Sequence, residues 1–292
     1  MNKPLVIYHG NCPDGFTAAW VTARALRDVE LFAAKYGDEP PYETARDRPV
    51  YVVDFSYPRN TLERLCQVAS ALQVLDHHKT AEAELAGLPY CKFDMERSGA
   101  GLAWDYFHPQ TPRPWIVDYV EDRDLWRFKL PNSETVSLRI RLTPHELSAY
   151  DALAVKPLNE IIVEGAGAKL YLDHYVKDAL RTFYDIQNLF GDGQTVRCVN
   201  VSYTGVSDVL NDALDLHVDY AYCPVGVALA WHVAADGAFN CSLRSKPSVD
   251  CSEYAKAYGG GGHAQAAGFK LASSAHPLAR RLMRPAAVEA AE

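Results

Sequence analysis

The tripeptide Asp76-His77-His78 directly follows an apolar run at residues 72–75. Two imidazoles beside a carboxylate, held at the rigid end of a strand, are suitable ligands for Mn²⁺ or a similar divalent ion. In isolation such a tripeptide is a polar surface turn. Three further groups change the balance. His9-Gly10-Asn11-Cys12-Pro13-Asp14-Gly15 follows a second apolar run, Asp54 ends a third, and Val120-Glu121-Asp122-Arg123-Asp124-Leu125-Trp126 adds more carboxylates. Each has a structural explanation of its own: Asp14 as a helix cap, Asp54 as a turn residue, Asp122 as a solvated charge. Together they supply enough oxygen and nitrogen donors for two adjacent metal ions.

The elements that must hold these groups read as alternating strands and helices, the pattern of a parallel sheet with crossover helices. Strands are predicted at 5–8, 50–55 and 72–75, and helices at 13–26, 58–71, 98–107 and 115–126. Asp54 and Asp76 then lie at carboxyl ends of strands, the edge where open α/β sheets bind ligands. Residues 158–190 read as a long helix broken by Gly165 and Gly167. Beyond it come strands at 195–201 and 224–232, a helix at 207–216, and a turn at Asp236-Gly237 leading into a strand at 239–244. A helix at 252–258 runs into four glycines, and the last fifteen or so residues read as partly disordered. The expected class is α/β: an N-terminal parallel-sheet domain at 1–155 with flanking helices, a helical connector at 156–192, and a smaller α/β domain with a mixed sheet at 193–292.

Composition narrows the partners. A net charge of −8 argues against long duplex nucleic acid, which needs a broad basic surface, and favours a small anion held in a pocket. No apolar run approaches the ~20 residues that span a bilayer, and the first residues lack a signal-peptide core. A cytoplasmic protein is expected. The seven cysteines are odd in number and form no C-x-x-C pair, which disfavours a disulfide framework or a zinc ribbon; most read as small buried side chains.

The order H-x-N…D-G, a strand ending in Asp, D-H-H and a late Asp resembles the DHH phosphoesterase superfamily. Residues 259–269, GGGGHAQAAGF, resemble the GGGH…AAGF signature of its C-terminal DHH-associated domain, and Leu243-Arg244-Ser245 is similar to the segment preceding that signature. The resemblance covers roughly residues 5–272. It implies a dinuclear Mn²⁺-type centre, with Mg²⁺ or Co²⁺ as substitutes, held by His9, Asp14, Asp54, His77 and Asp122. Asp54 would bridge the ions, and Asp124 is the other candidate for the late ligand. Asp76 and His78 would serve catalysis as proton carriers, or would orient His77 or take its place as a metal ligand. Arg244, Ser245, Gly260, Gly261, Gly262 and His263 would bind substrate: glycine N–H groups can approach a phosphate closely, and an arginine clamps one with two donors.

The implied activity is that of a nano-RNase-like phosphodiesterase. It would hydrolyse short RNA or DNA oligonucleotides or linear dinucleotides such as pGpG, from the 3′ end, to 5′-mononucleotides. Two readings stay open beside it: a phosphatase for a nucleoside bisphosphate, and a nucleotide-binding module without catalysis. One departure favours the last. The family's first motif carries D-x-D, and Cys12 stands where the first of those aspartates would be. A neutral thiol is a poor ligand for a hard ion, although a thiolate binds softer ones. A homodimer is also left open.

Overall fold

A computed structural model describes residues 2–218, 221–222 and 224–283. The chain divides into two compact units, one up to Lys169 and the other from Leu170. The division falls inside a helix, within the segment read from the sequence as a connector. Residues 284–292 lie outside the described residues, as does Cys223, so the reading of a disordered end is largely beyond them. No helix among the described residues is long and apolar enough to cross a membrane.

The first unit opens with β1 (Leu5–His9), α1 (Pro13–Leu26), β2 (Glu30–Ala34), α2 (Tyr42–Ala45), β3 (Pro49–Val53), α3 (Arg59–Val68), β4 (Ala71–Asp76), α4 (Lys79–Leu85) and β5 (Cys91–Phe93). The five strands form one parallel sheet in the order β2-β1-β3-β4-β5. Helices α5 (Gly99–Phe107), α6 (Trp115–Asp124), α7 (Ser133–Arg141), α8 (Leu147–Ala154) and α9 (Leu158–Ala179) follow. Successive side chains of a strand point to opposite faces, and both faces of this sheet are covered. Val6, Tyr8, Val53 and Leu75 pack with Phe16, Trp20, Leu102 and Ile116. Leu5, Ile7, Val52 and Val74 pack with Leu62, Leu65 and Leu85 from the other layer. This two-sided burial is why the strands read as continuous apolar runs rather than alternating ones.

The strand order reverses between β1 and β3, and in doubly wound sheets the crevice at such a switch point is where ligands bind. β2 escapes the sequence reading because it is an edge strand with only Ala34 fully buried. The predicted long helix ends at Ala179, earlier than 190, and Gly165 and Gly167 do not break it. Gly165 lets α9 approach another helix: a Cβ there would lie 2.4 Å from the Thr135 carbonyl oxygen.

The second unit continues through a 3-10 turn (Leu180–Thr182), β6 (Tyr184–Gln187), β7 (Thr195–Asn200), α10 (Val206–Leu214), β8 (His217–Val218), β9 (Ala221–Tyr222), β10 (Val227–Val233), β11 (Phe239–Ser245), α11 (Cys251–Ala257), β12 (Gly261–His263), β13 (Ala266–Leu271) and α12 (Pro277–Met283). Its main sheet runs β12-β13-β11-β10-β7-β6 and is mixed: β10 and β7 are parallel, the other neighbours antiparallel. Cys198, Leu229, Phe239, Leu243, Phe269 and Leu282 centre its core. β6 occupies residues read as helix, because Tyr184 is tied into this unit: its hydroxyl donates to the Leu282 carbonyl at 2.5 Å and accepts from Trp231 Nε1 at 2.8 Å.

The end of β1 and the start of α1 are pressed together, since a Cβ on Gly15 would sit 2.3 Å from the backbone oxygen of His9. Gly15→Ala should therefore force α1 off the sheet edge and destabilise the first unit by about 1–3 kcal/mol, the usual range for overpacking. Urea unfolding followed by tryptophan fluorescence checks this, and an unchanged midpoint would show that the helix yields freely.

Candidate metal centre

Three parallel strands deliver polar residues to the same edge. His9 is the last residue of β1, Asp54 follows β3, and Asp76 closes β4 with His77 and His78 behind it. Asp54 adopts a left-handed backbone, φ +53°, a region that L-residues enter at a cost and that Asp and Asn tolerate best. Its N–H still donates to the Leu75 carbonyl at 2.9 Å, so the turn begins while the strand is anchored. Gly99, first residue of α5, covers it; a Cβ there would lie 2.3 Å from Asp54 Cβ.

His77 Nε2 is the centre of the cluster. It lies 3.1 Å from Asp54 Oδ1, 3.5 Å from Asp124 Oδ2 and 3.6 Å from Asp14 Oδ2. The side chains of His77, Asp14 and Asp54 are at most 2% exposed, and that of Asp124 is 26% exposed. Asp54 Oδ2 is buried and has no hydrogen-bond partner among the described residues, with His9 Nδ1 at 3.5 Å. Asp14 is held from the other side: its oxygens accept the N–H groups of Gly99 at 2.6 Å and Ala100 at 2.9 Å, at the amino end of α5.

Asp76 faces a different task. Its Oδ1 accepts the His77 N–H at 2.8 Å and meets His78 Nδ1 at 2.7 Å, and its Oδ2 accepts the Ser56 hydroxyl at 2.5 Å. Asp76 thus fixes the turn and orients the second imidazole. Ser56 was not singled out from the sequence. Its role is legible only once β3 and β4 are neighbours.

Asp122 and Asp124 separate cleanly. Asp122 turns inward, its carboxylate accepting the backbone N–H groups of Lys129 at 2.9 Å and Leu130 at 3.2 Å. It caps the loop after α6, and Asp124 is the carboxylate that reaches His77. Helix geometry explains the difference, because residues two apart point nearly opposite ways. Donor atoms gather, each set within 4.8 Å, in the groups His9–Cys12–Asp54, Asp14–His77–Asp124 and Asp54–Asp76–His78.

The electrostatics show what these groups lack. Burial, together with Asp54 and Asp124, pushes the Asp14 carboxyl well above its usual range. Burial also opposes ionisation of Asp54, but contact with His77 and His9 outweighs it and holds that carboxyl well below. For His77, burial disfavours the charged ring, yet Asp54, Asp124 and Asp14 pull its pKa well above the ordinary imidazole range. The three carboxylates thus favour the charged form of the His77 ring. A divalent cation supplies that charge directly, and the buried carboxylate oxygen on Asp54, the flanking imidazoles and the further carboxylates are the donors such an ion takes. The residues fit a metal.

In the second unit, Arg244 is the penultimate residue of β11, before Ser245. Its guanidinium donates to Ser207 Oγ at 2.6 Å and to the Leu243 carbonyl at 2.7 Å. Ser245 Oγ donates to the Val249 carbonyl at 2.6 Å, which engages it in its own turn. The glycine run is not a free loop: Gly261, Gly262 and His263 form β12, paired with β13. Gly260 and Gly262 permit that pairing, since a Cβ on either would meet the Gly268 or Ala266 carbonyl oxygen at 2.0 or 2.5 Å. β12 is a sheet edge, so backbone groups along its outer side are not used by the sheet.

Burial disfavours the charged form of His78, and Asp76 more than offsets it, raising the pKa above the ordinary imidazole range. In the metal-free protein Asp76→Asn should therefore move the His78 titration midpoint down. Imidazole C–H resonances followed by NMR in the presence of a chelator give the answer; an unmoved midpoint would mean that Asp76 does not control this ring.

Residues 207–288 match the family model of the DHHA1 domain. The chain is 26% identical over 289 residues to an uncharacterized protein of Acanthamoeba polyphaga mimivirus, a match covering 91% of this chain and 66% of that one. The chain thus spans just under two thirds of this relative's length. Among solved structures, an exopolyphosphatase-related protein from Bacteroides fragilis is similar at 11% identity and TM-score 0.54, over 97% of this chain and 90% of that one. A pGpG-specific phosphodiesterase, PggH, from Vibrio cholerae matches at 12% identity and TM-score 0.51, over 92% and 93%. The exonuclease RecJ bound to manganese matches at 15% identity and TM-score 0.52, over 92% and 86%. Residues 207–288 thus resemble a DHHA1 domain, and the chain shares its fold with the exopolyphosphatase-related protein, PggH and RecJ.

Proposed function

We propose that this protein is a divalent-metal-dependent phosphoesterase that hydrolyses short oligonucleotides or linear dinucleotides to 5′-mononucleotides. The observation that carries this reading is the convergence on His77 Nε2 of oxygens from three carboxylates, all within 3.6 Å. Bringing three carboxylates together is expensive unless a cation compensates them, and one imidazolium neutralises only one charge. His9, Asp14, Asp54, His77 and Asp124 would hold the ions, with Asp54 common to two of the donor groups. Mn²⁺ suits the oxygen and nitrogen donors, and the similar RecJ structure is bound to manganese. Bound divalent ions polarise a phosphoryl oxygen and lower the pKa of a coordinated water.

The chain's own residues supply the rest. Asp76 engages His78 through Nδ1, the arrangement that sets the tautomer and aims the opposite ring nitrogen of a general acid or base. Ser56 fixes Asp76 in turn. Gly99 and Ala100 hold the Asp14 carboxylate in place, so that the cluster is built before substrate arrives. In the second unit, Arg244, Ser245, Gly260, Gly261, Gly262 and His263 are proposed to bind substrate, with Arg244 as the charged grip on a phosphate. The substrate class rests on the net charge of −8, which suits a small anion better than a long polymer, and on the fold shared with a protein named a pGpG-specific phosphodiesterase.

Turnover of pGpG, with nucleotide products separated by chromatography, tests the proposal. Wild-type protein should consume pGpG with Mn²⁺ and stop on chelation. Asp54→Ala and His77→Ala should abolish turnover, and His78→Gln should lower it on the order of 10²–10⁴-fold, the range for loss of a general acid or base. Unchanged turnover in both alanine variants would remove the assigned centre.

A further inference from the structure

We infer that Cys12 is itself a metal ligand, and that the His9–Cys12–Asp54 corner takes a thiophilic divalent ion such as Zn²⁺ or Co²⁺. This rests on the metal-centre reading above and adds the identity of the ion at one corner. Three observations support it. The first is position: a ring nitrogen of His9, Cys12 Sγ and an Asp54 oxygen lie within 4.8 Å of one another. Ions of this kind bind at about 2.0–2.3 Å from N, O and S donors, which places ligand atoms roughly 3.3–3.8 Å apart in a tetrahedral site. Small side-chain adjustments bring the three donors onto one ion.

The second is that Asp54 Oδ2, on a side chain 2% exposed, has no hydrogen-bond partner among the described residues and has His9 Nδ1 as its neighbour at 3.5 Å. A buried carboxylate oxygen in this state is one that a cation bound on that side would satisfy. The third is that the thiol makes no geometrically formed helix cap, although the Gly15 N–H lies beside it and favours its thiolate. Cys12 is the N-cap residue of α1, a position usually held by a side chain that accepts a backbone N–H, and it makes no such bond. Its carbonyl also serves the helix, accepting from Phe16 N at 3.0 Å.

The two corners therefore differ in chemistry. Asp14, His77 and Asp124 offer oxygen, nitrogen and oxygen, a hard set suited to Mn²⁺. His9, Cys12 and Asp54 offer nitrogen, sulfur and oxygen, and a thiolate selects softer ions. Binding breaks the Cys12 S–H bond and forms a sulfur–metal bond, with the proton passing to water; no oxidant or reductant is needed.

The test loads the full-length, chelator-stripped protein with Co²⁺ and records its absorption. Wild-type protein should show visible d–d bands together with a near-ultraviolet thiolate-to-cobalt charge-transfer band. Cys12→Ser should lose the charge-transfer band and keep visible bands. Visible bands without charge transfer in the wild type, or a charge-transfer band that survives in Cys12→Ser, would overturn the inference and leave the metal centre standing. Absence of any cobalt spectrum or bound cobalt would overturn the metal centre as well. A readout on the wild-type chain avoids dependence on the variant's folding: alkylation mapped by mass spectrometry should be blocked at Cys12 by Zn²⁺ and not by Mg²⁺. Cys66, which is exposed, serves as the internal control, and equal labelling of Cys12 with and without Zn²⁺ would count against the assignment.

Discussion

Like charges brought together out of water are the constraint around which the first unit is built. Asp14, Asp54 and Asp124 each approach His77 Nε2, and each is held there by unrelated parts of the chain. Asp14 comes from the first turn of α1 and is tied to the amino end of α5, while Asp54 comes from a left-handed turn after β3. Asp124 closes α6. The sheet, packed on both faces, supplies the rigidity that keeps them close. The amino end of α5 contributes N–H groups and the positive end of a helix dipole to Asp14. Gly99 makes that approach physically available: a Cβ there would lie 2.3 Å from Asp54 Cβ and 2.9 Å from Asp14 Oδ2.

The parts of this arrangement visible in the sequence are those written in contiguous residues. Apolar runs ending in His9, Asp54 and Asp76 read as strands, and their common edge follows from parallel pairing. What is not visible depends on contacts between distant segments. Ser56 acquires meaning only because β3 lies beside β4. The choice between Asp122 and Asp124 turns on helix phase at the end of α6 and on where residues 129–130 pass, which local pattern does not encode. β2 is hidden because an edge strand need not be apolar.

The second unit shows the opposite limit. Four consecutive glycines carry the composition of a loop, yet Gly261 and Gly262 are in a strand. Here glycine serves the partner strand: neighbouring carbonyl oxygens come so near that any side chain at Gly260 or Gly262 would collide with them. Composition alone cannot distinguish backbone freedom from backbone crowding, because both call for the same residue.

The left-handed conformation of Asp54 bears on how this protein can change over generations. Aspartate, asparagine and glycine are the residues that settle most readily into that region, and either replacement is one nucleotide change away from an aspartate codon. Such a change would remove the carboxylate while leaving the strand end and its neighbours where they are. A lineage could therefore discard the chemistry and preserve the scaffold in a single step, whereas glutamate, the apparently milder exchange, would keep the charge and disturb the turn.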